Sequence, residues 1–146
     1  MLTGCLLGRQ WDMAAPLVLG CVGLLAAGDM MDRAIPILPG DSVSVAKDFY
    51  AGTLGFTVRF EATYDGSDGI IGFERGSICI TVDCPMDGHG RNACVSLEVG
   101  SADAYYDEWR EKVEIRRPPM NEPWGGRTFG FHDPFGNTIF IIGPVT

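Results

Sequence analysis

The residues that could carry out chemistry are few, and their spacing does not group them. The chain has two histidines, His89 and His132, and five cysteines without a Cys-x-x-Cys pair. Asp133 follows His132 directly, but successive side chains of a strand point to opposite faces, so the two do not form a catalytic dyad. Asp133 instead suits the start of a turn into Pro134. The sequence also contains neither a Gly-x-Ser-x-Gly motif nor a phosphate-binding glycine loop. Nucleophilic chemistry therefore has no recognisable constellation here.

The length and net charge of the chain limit the kinds of partner that it could bind. A chain of 146 residues with 46% hydrophobic residues predicts one globular domain. Its net charge of -8 argues against nucleic acid or an anionic membrane as partner, because phosphate groups need a basic surface. The acidic balance is compatible with a cationic ligand, and equally with a role in solubility alone. The odd number of cysteines favours a reducing compartment, which predicts a cytoplasmic protein.

Residues 1–33 do not fit the pattern of the rest. Their apolar run, residues 14–27, is shorter than the ~20 residues that span a bilayer. Three interpretations stay open: sequence upstream of a natural start at Met30 or Met31, an export signal that lacks a basic leader, or a helix packed on the domain.

Two stretches of the remaining chain repeat one design. Ala46–Tyr50 (Ala-Lys-Asp-Phe-Tyr) recurs as Ala102–Tyr106 (Ala-Asp-Ala-Tyr-Tyr) after 56 residues, and Gly72-Phe73 recurs as Gly130-Phe131 after 58. A repeat of this length predicts two copies of one supersecondary unit. Ligands of such folds tend to bind where side chains of both halves converge.

The hydrophobic periodicity predicts the same order of elements in both halves. The fold class is therefore α+β, with two β-α-β-β-β modules in residues 34–85 and 92–142 of a domain spanning 34–146. The first module is predicted to have strands at 34–38, 56–63, 70–74 and 77–83, and a helix from Asp41 or Ser42 to Ala51. The second is predicted to have strands at 94–99, 113–117, 127–132 and 137–142, and a helix capped by Ser101.

This order, with Asp133-Pro134-Phe135-Gly136-Asn137 at the final turn and Asp48-Phe49-Tyr50 on the first helix, resembles the vicinal oxygen chelate superfamily. That superfamily includes glyoxalase I, extradiol dioxygenases, fosfomycin-resistance transferases and bleomycin-resistance proteins. Residues 35–39 and Pro123–Arg127 look most like the bleomycin-resistance proteins. The resemblance covers residues 34–142 and implies a curved mixed sheet and a homodimer. Pro36 removes a ladder donor from the first strand, so we expect that strand at an edge, exchanged with or bordering the partner subunit.

The resemblance also defines where a metal would be bound. Aligned on the motifs, the four ligand positions fall at Ala34, Ile80, Cys94 and Phe140. These residues cannot supply the oxygen and imidazole ligands suited to Mn or Fe. We therefore expect no metal, no cofactor and no catalysis. The alternatives are a metal-dependent lyase or dioxygenase of the same superfamily, and a binding protein for another small molecule.

Bleomycin-resistance proteins sequester a flat, cationic antibiotic, and the resemblance implies the same role here. Aromatic faces would stack on the rings and hold the cation, and acidic side chains would supply counter-charge. Trp124 lies in a loop-like Pro-Trp-Gly-Gly stretch, where a core role and a binding role are equally favoured. Arg127, Phe129 and Phe131 alternate on one strand and so share a face. The predicted ligand-binding residues are Phe60, Glu61, Tyr64, Trp124, Arg127, Phe129, Phe131 and His132.

Overall fold

The computed structural model describes residues 33–86, 88 and 90–146. They form two β-α-β-β-β modules, as predicted. The first contains β1 (Ile37–Pro39), α1 (Val43–Lys47), β2 (Thr57–Asp65), β3 (Asp68–Arg75) and β4 (Ile78–Cys84). The second contains β5 (Cys94–Glu98), α2 (Ala102–Trp109), β6 (Met120–Asn121), β7 (Gly126–His132) and β8 (Thr138–Pro144). The three interpretations of the N-terminal extension concern residues outside this described part, apart from Arg33.

Each module builds one four-stranded mixed sheet with the same topology. The orders are β1-β4-β3-β2 and β5-β8-β7-β6, and the pairs β1/β4 and β5/β8 are parallel. The strand that follows Pro36 lies at a sheet edge, as predicted. Pro36 has no N–H to donate, but its carbonyl accepts a hydrogen bond from the Thr81 N–H at 3.0 Å.

The boundaries of several predicted strands were wrong. The first strand, predicted at 34–38, spans Ile37–Pro39, so Pro36 lies just before it. The predicted strand 113–117 is reduced to a single bridge between Ile115 and Phe131, and β6 begins only after Pro118-Pro119. The two prolines lack ladder donors, which explains why regular pairing starts beyond them. The strands predicted at 56–63 and 70–74 extend toward each other to Asp65 and Asp68, and a tight turn joins them, where Gly66 adopts a φ of 56°.

Both helices begin at a serine. The Ala104 N–H donates to Ser101 Oγ at 3.2 Å, which confirms the predicted cap of α2. Ser42 occupies the same position before α1, but its hydroxyl lies 2.9 Å from Ser44 Oγ and caps nothing. The α1 helix continues as a π-helical turn, Asp48–Thr53. In the described part of the chain, no helix is long and apolar enough to cross a membrane.

One apolar core joins the modules. It contains the fully buried rings of Tyr50, Phe73 and Trp109, and the Phe49 and Phe131 ring centroids lie 6.4 Å apart across it. Each sheet therefore packs one face on this core. We call the opposite side of each sheet its open face. On the first sheet a row of paired residues crosses the open face, and it consists of Ile37, Thr81, Gly72 and Phe60.

The final turn ties the modules together. Asp133 is buried, and its carboxylate accepts hydrogen bonds from Tyr50 Oη (2.9 Å), Asn137 Nδ2 (2.8 Å) and the N–H groups of Phe135 and Asn137. Asn137 Nδ2 also donates to the Pro39 carbonyl at 2.8 Å. Burial and the Asp133 charge raise the pKa of the Tyr50 hydroxyl well above its usual range. The motif that suggested the family is therefore a structural joint.

Candidate functional site

Exposed aromatic rings cover glycines on both open faces. A Cβ atom added at Gly72 or Gly126 would collide with the ring, and one added at Gly130 would make an unusually tight contact with it. Each of these rings lies close against the sheet and remains partly exposed to solvent. The pairs, with the distance from the added Cβ to the ring, are Phe60 on Gly72 (2.2 Å), Trp124 on Gly126 (2.2 Å) and Phe140 on Gly130 (3.0 Å).

A cleft of about 270 Å³ surrounds the Phe140 ring, which is 41% exposed. Its charged and titratable groups are Arg116, Arg117 and His132. Arg117 Nη2 lies 2.5 Å from Glu122 Oε1, and Thr128 and Arg117 together lower the pKa of the Glu122 carboxyl. Arg116 Nη2 lies 2.7 Å from His132 Nε2. This end of the open face is therefore basic.

A second cleft, of about 290 Å³, lies at the Trp124 end of the same face. The indole is 64% exposed, and Glu98 is the one charged residue among the lining side chains of this cleft. Glycines 126 and 130 are four residues apart on β7, so the two aromatic platforms are separated by roughly 13 Å. The open face of the second sheet thus has an acidic end and a basic end.

Both clefts are lined by the second module alone. Neither of these two clefts brings together side chains of both halves, as the sequence repeat had led us to expect of a binding site. The physical reason is that both sheets turn their apolar faces to the shared core, which leaves their open faces on outer sides of the molecule.

Three predicted binding residues lie on the open faces, although not in one cleft. Trp124 and His132 belong to the two clefts of the second sheet, and Phe60 lies on the first sheet. Tyr64 is exposed near the end of β2. The even balance between core and surface for Trp124 is resolved in favour of the surface.

Two predicted polar residues face the helix side of their sheets and are engaged in ion pairs. Glu61 Oε2 lies 2.7 Å from Lys47 Nζ. Arg127 makes a two-point contact with Asp103 on α2, at 2.6 and 2.7 Å. Its hydrogen bonds lower the pKa of the Asp103 carboxyl. Each ion pair therefore connects a helix to a strand of its own module.

Phe129 and Phe131 were predicted to contact the ligand, but they face the core. They do share one face of β7, as predicted, but each is only 1% exposed. Phe129 packs on Tyr106 and Phe131 on Trp109, with ring centroids 5.7 and 5.6 Å apart. Alternation predicts which residues share a face, whereas the packing of α2 decides which face is buried. These two rings belong to the core.

The four residues that were aligned with metal positions do not all lie on the open faces. Ala34 precedes β1, and Ile80 faces the core. Cys94 and Phe140 are exposed, and Phe140 pairs with Ser96 rather than with Cys94. The residues that do occupy the middle rows of the open faces include Ile37, Thr81, Ser96 and Phe140, none of which carries a carboxylate or imidazole. Among the described residues no three His, Cys, Asp or Glu side chains cluster as metal ligands would. This donor set does not fit the metal centre of the superfamily.

Two residues that line the basic cleft were not predicted as ligand contacts. Phe140 was considered only as a metal position, and Arg116 not at all. The available signal was the glycine inside a strand at position 130, which marks a close approach by another group. No sequence signal pointed to Arg116, because it lies in the irregular segment between α2 and β6.

The comparisons agree with this architecture. The profile of the Glyoxalase/Bleomycin resistance protein/Dioxygenase superfamily matches residues 33–141. A superfamily member from Sphaerobacter thermophilus is 26% identical over 78% of this chain and 98% of its own, with a TM-score of 0.63. The bleomycin-binding protein of bleomycin-producing Streptomyces verticillus, solved with copper(II)-bleomycin, is 26% identical over 79% and 98%, with a TM-score of 0.64.

TnmS3, an antibiotic binding protein from Streptomyces sp. CB03234, is 24% identical over 80% and 99% of the two chains, with a TM-score of 0.64. No curated protein matches the chain significantly. The family profile covers most of the described domain and agrees with its two modules. The chain belongs to the glyoxalase/bleomycin resistance protein/dioxygenase superfamily.

Proposed function

We propose that this protein binds and sequesters an antibiotic of the bleomycin type and does not catalyse a reaction. The observation that carries the proposal is the exposed indole of Trp124, which lies over Gly126 beside Glu98. A flat ring can stack on this indole, and a positive charge can interact with both the indole and the carboxylate.

The charges around Trp124 suit a cation. No basic group of the described chain lies within 4.0 Å of the Glu98 carboxylate, so its charge is not neutralised by an ion pair. The net charge of -8 would draw a cationic ligand toward the protein as a whole. The first sheet adds an exposed ring at Phe60.

The relatives support antibiotic binding in general. One was solved with copper(II)-bleomycin and another is an antibiotic binding protein. Because these relatives are 24–26% identical to this chain, the identity of the antibiotic is a proposal. In the part of the chain that the structure describes, no three His, Cys, Asp or Glu side chains cluster as metal ligands would, and this supports sequestration over lyase or dioxygenase chemistry.

The proposed form is a C2 homodimer. Apolar side chains on both open faces, among them Ile37, Phe60 and Phe140, are at least 41% exposed. Exposed apolar patches of this kind mark interaction surfaces. In a dimer the open face of one protomer's first sheet would cover the clefts of its partner's second sheet. The proposed compartment is the cytoplasm, supported by the free thiols of Cys79, Cys84 and Cys94.

Calorimetric titration of the purified protein with bleomycin tests the proposal. We expect saturable binding with a defined stoichiometry, together with substoichiometric Mn, Fe, Ni and Zn in protein prepared without chelators. A protein that binds no bleomycin would refute the proposed ligand. Stoichiometric metal held by the strand residues would favour an enzyme instead.

A further inference from the structure

The basic cleft at the Phe140 end contains a positive charge without a carboxylate partner. No described carboxylate lies within 4.0 Å of the Arg116 guanidinium, and its one hydrogen bond among the described residues goes to His132. Neighbouring Arg117, in contrast, is bound to Glu122 and to the Thr128 carbonyl. Arg116 is therefore the group of this cleft with unused donors.

The hydrogen-bond geometry also orients this charge. A guanidinium can only donate, so His132 Nε2 must accept. The proton of a neutral His132 then lies on Nδ1, which is 3.3 Å from Thr138 Oγ1. Arg116 is anchored through one nitrogen to a side chain of β7, and its remaining N–H groups are free to bind a planar anion in a two-point contact.

A flat surface lies beside the charge. The Phe140 ring rests on Gly130 and is part of the same cleft as Arg116, His132 and Thr138. An aromatic ring stacked on Phe140 could direct an acidic substituent to the guanidinium. A carboxylate attached to a planar ring matches the two features together.

We propose that this cleft is a binding site for flat aromatic carboxylates, with Phe140 as the stacking surface and Arg116 as the anion-binding group. The site goes beyond the proposed antibiotic binding. It lies roughly 13 Å along β7 from the Trp124 platform and has the opposite charge. Its ligand is selected by an acid group, whereas the Trp124 end selects a cation.

The probe is 2-naphthoate, with the neutral 2-naphthamide as its matched comparison, and both are titrated by calorimetry into the full-length protein near pH 7.5. We expect 2-naphthoate to bind about 10- to 100-fold more tightly than the amide, because a hydrogen-bonded charge contact contributes more than a neutral one. Arg116→Gln should remove this difference by weakening the acid alone. Phe140→Leu should weaken both probes.

Arg110→Gln is the control, because Arg110 is an exposed arginine directly after α2, outside the residues that line the cleft, and its nearest carboxylates are 3.9 Å away. It should leave both affinities unchanged. Thermal melts of every variant verify that the fold persists. The proposal is overturned if 2-naphthoate does not bind at millimolar concentration, if acid and amide bind equally, or if Arg116→Gln leaves the preference intact. Bleomycin titration of the same samples is a separate readout: bleomycin binding without naphthoate binding would refute only this site, and the reverse would refute only the proposed function.

Discussion

At the residue scale, Trp124 is the most informative side chain. A tryptophan that is 64% exposed contributes little to the core, yet its indole lies close against Gly126. Trp124→Ala should weaken bleomycin binding by about 2- to 30-fold, which corresponds to the loss of one stacking contact. Calorimetry measures the affinity, and the free energy of unfolding should change by less than about 0.5 kcal/mol.

Two further variants isolate the role of the ring. Trp124→Phe keeps an aromatic face and should retain most of the affinity. Val45→Ala truncates an exposed apolar residue on α1 and should have no effect on binding. A large loss of stability with unchanged affinity would instead assign Trp124 to the core.

Asp133 is the opposite kind of residue, since it works inside the structure. Its carboxylate accepts hydrogen bonds from Tyr50, Asn137 and two backbone N–H groups. Asp133→Ala should lower the free energy of unfolding by about 2–4 kcal/mol, because several buried donors lose their acceptor. Urea unfolding gives the value, and Asp107→Ala, at an exposed position of α2, should change it by less than about 0.5 kcal/mol. Equal effects of the two variants would contradict this account.

At the scale of elements, Arg75 connects the end of β3 to α2 of the other module. Its guanidinium donates to the Leu54 carbonyl and to both carboxylate oxygens of Glu108, at 3.0 and 2.6 Å. It also lies 4.8 Å from the Tyr105 ring centroid and 5.5 Å from that of Trp109. One side chain thus joins a hairpin of the first module to the helix of the second.

Breaking this connection should make stability depend less on pH. The hydrogen bonds from Arg75 hold the pKa of the Glu108 carboxyl below its usual 4.5. The stabilisation is therefore present above pH 4.5 and is lost as the pH falls through the lowered pKa. Glu108 is 38% exposed, so solvent screening limits the contribution to about 0.5–1 kcal/mol.

Glu108→Gln should accordingly be less stable than the wild type at pH 7, with a difference that shrinks below pH 4.5. Urea unfolding at pH 7, 4 and 3 measures it. Glu111→Gln is the matched control, because Glu111 is almost fully exposed and lies 3.9 Å from Arg110. A difference that is constant with pH would show that the Arg75–Glu108 contact is not its source.

At the scale of the whole molecule, the two open faces predict association. Light scattering at micromolar concentration should give the mass of a dimer. Phe60→Glu places a charge on the open face of the first sheet and should shift the population toward monomer. Val45→Glu, on α1, should leave the dimer intact. A wild-type protein that stays monomeric would contradict the prediction.

The N-terminal extension should be dispensable. Residues 31–146 form one compact unit by their contacts, and the repeat has no counterpart for the preceding segment. A chain that begins at Met31 should keep the melting temperature and the bleomycin affinity of the full chain. A decrease of more than ~10 °C would mean that the apolar run 14–27 stabilises the domain by several kcal/mol.

Local sequence patterns determined the element order, because periodicity, caps and turn residues act over a few positions. They were sufficient for the module repeat, the Ser101 cap, the edge position of β1 and the turn at Asp133. They also indicated which residues of β7 share a face. Boundaries were less certain where prolines delayed a strand, as before β6, or where a glycine closed a turn, as at Gly66.

Only the tertiary structure decided which face of each sheet is buried and which side chains share a cleft. Alternation is symmetric between the two faces of a strand, so it could not tell that Phe129 and Phe131 pack on α2 while Gly126 and Gly130 carry exposed rings. The meeting of Arg116 with His132 depends on an irregular segment folding back over β7. Contacts of this kind join residues distant in sequence, and no local pattern specifies them.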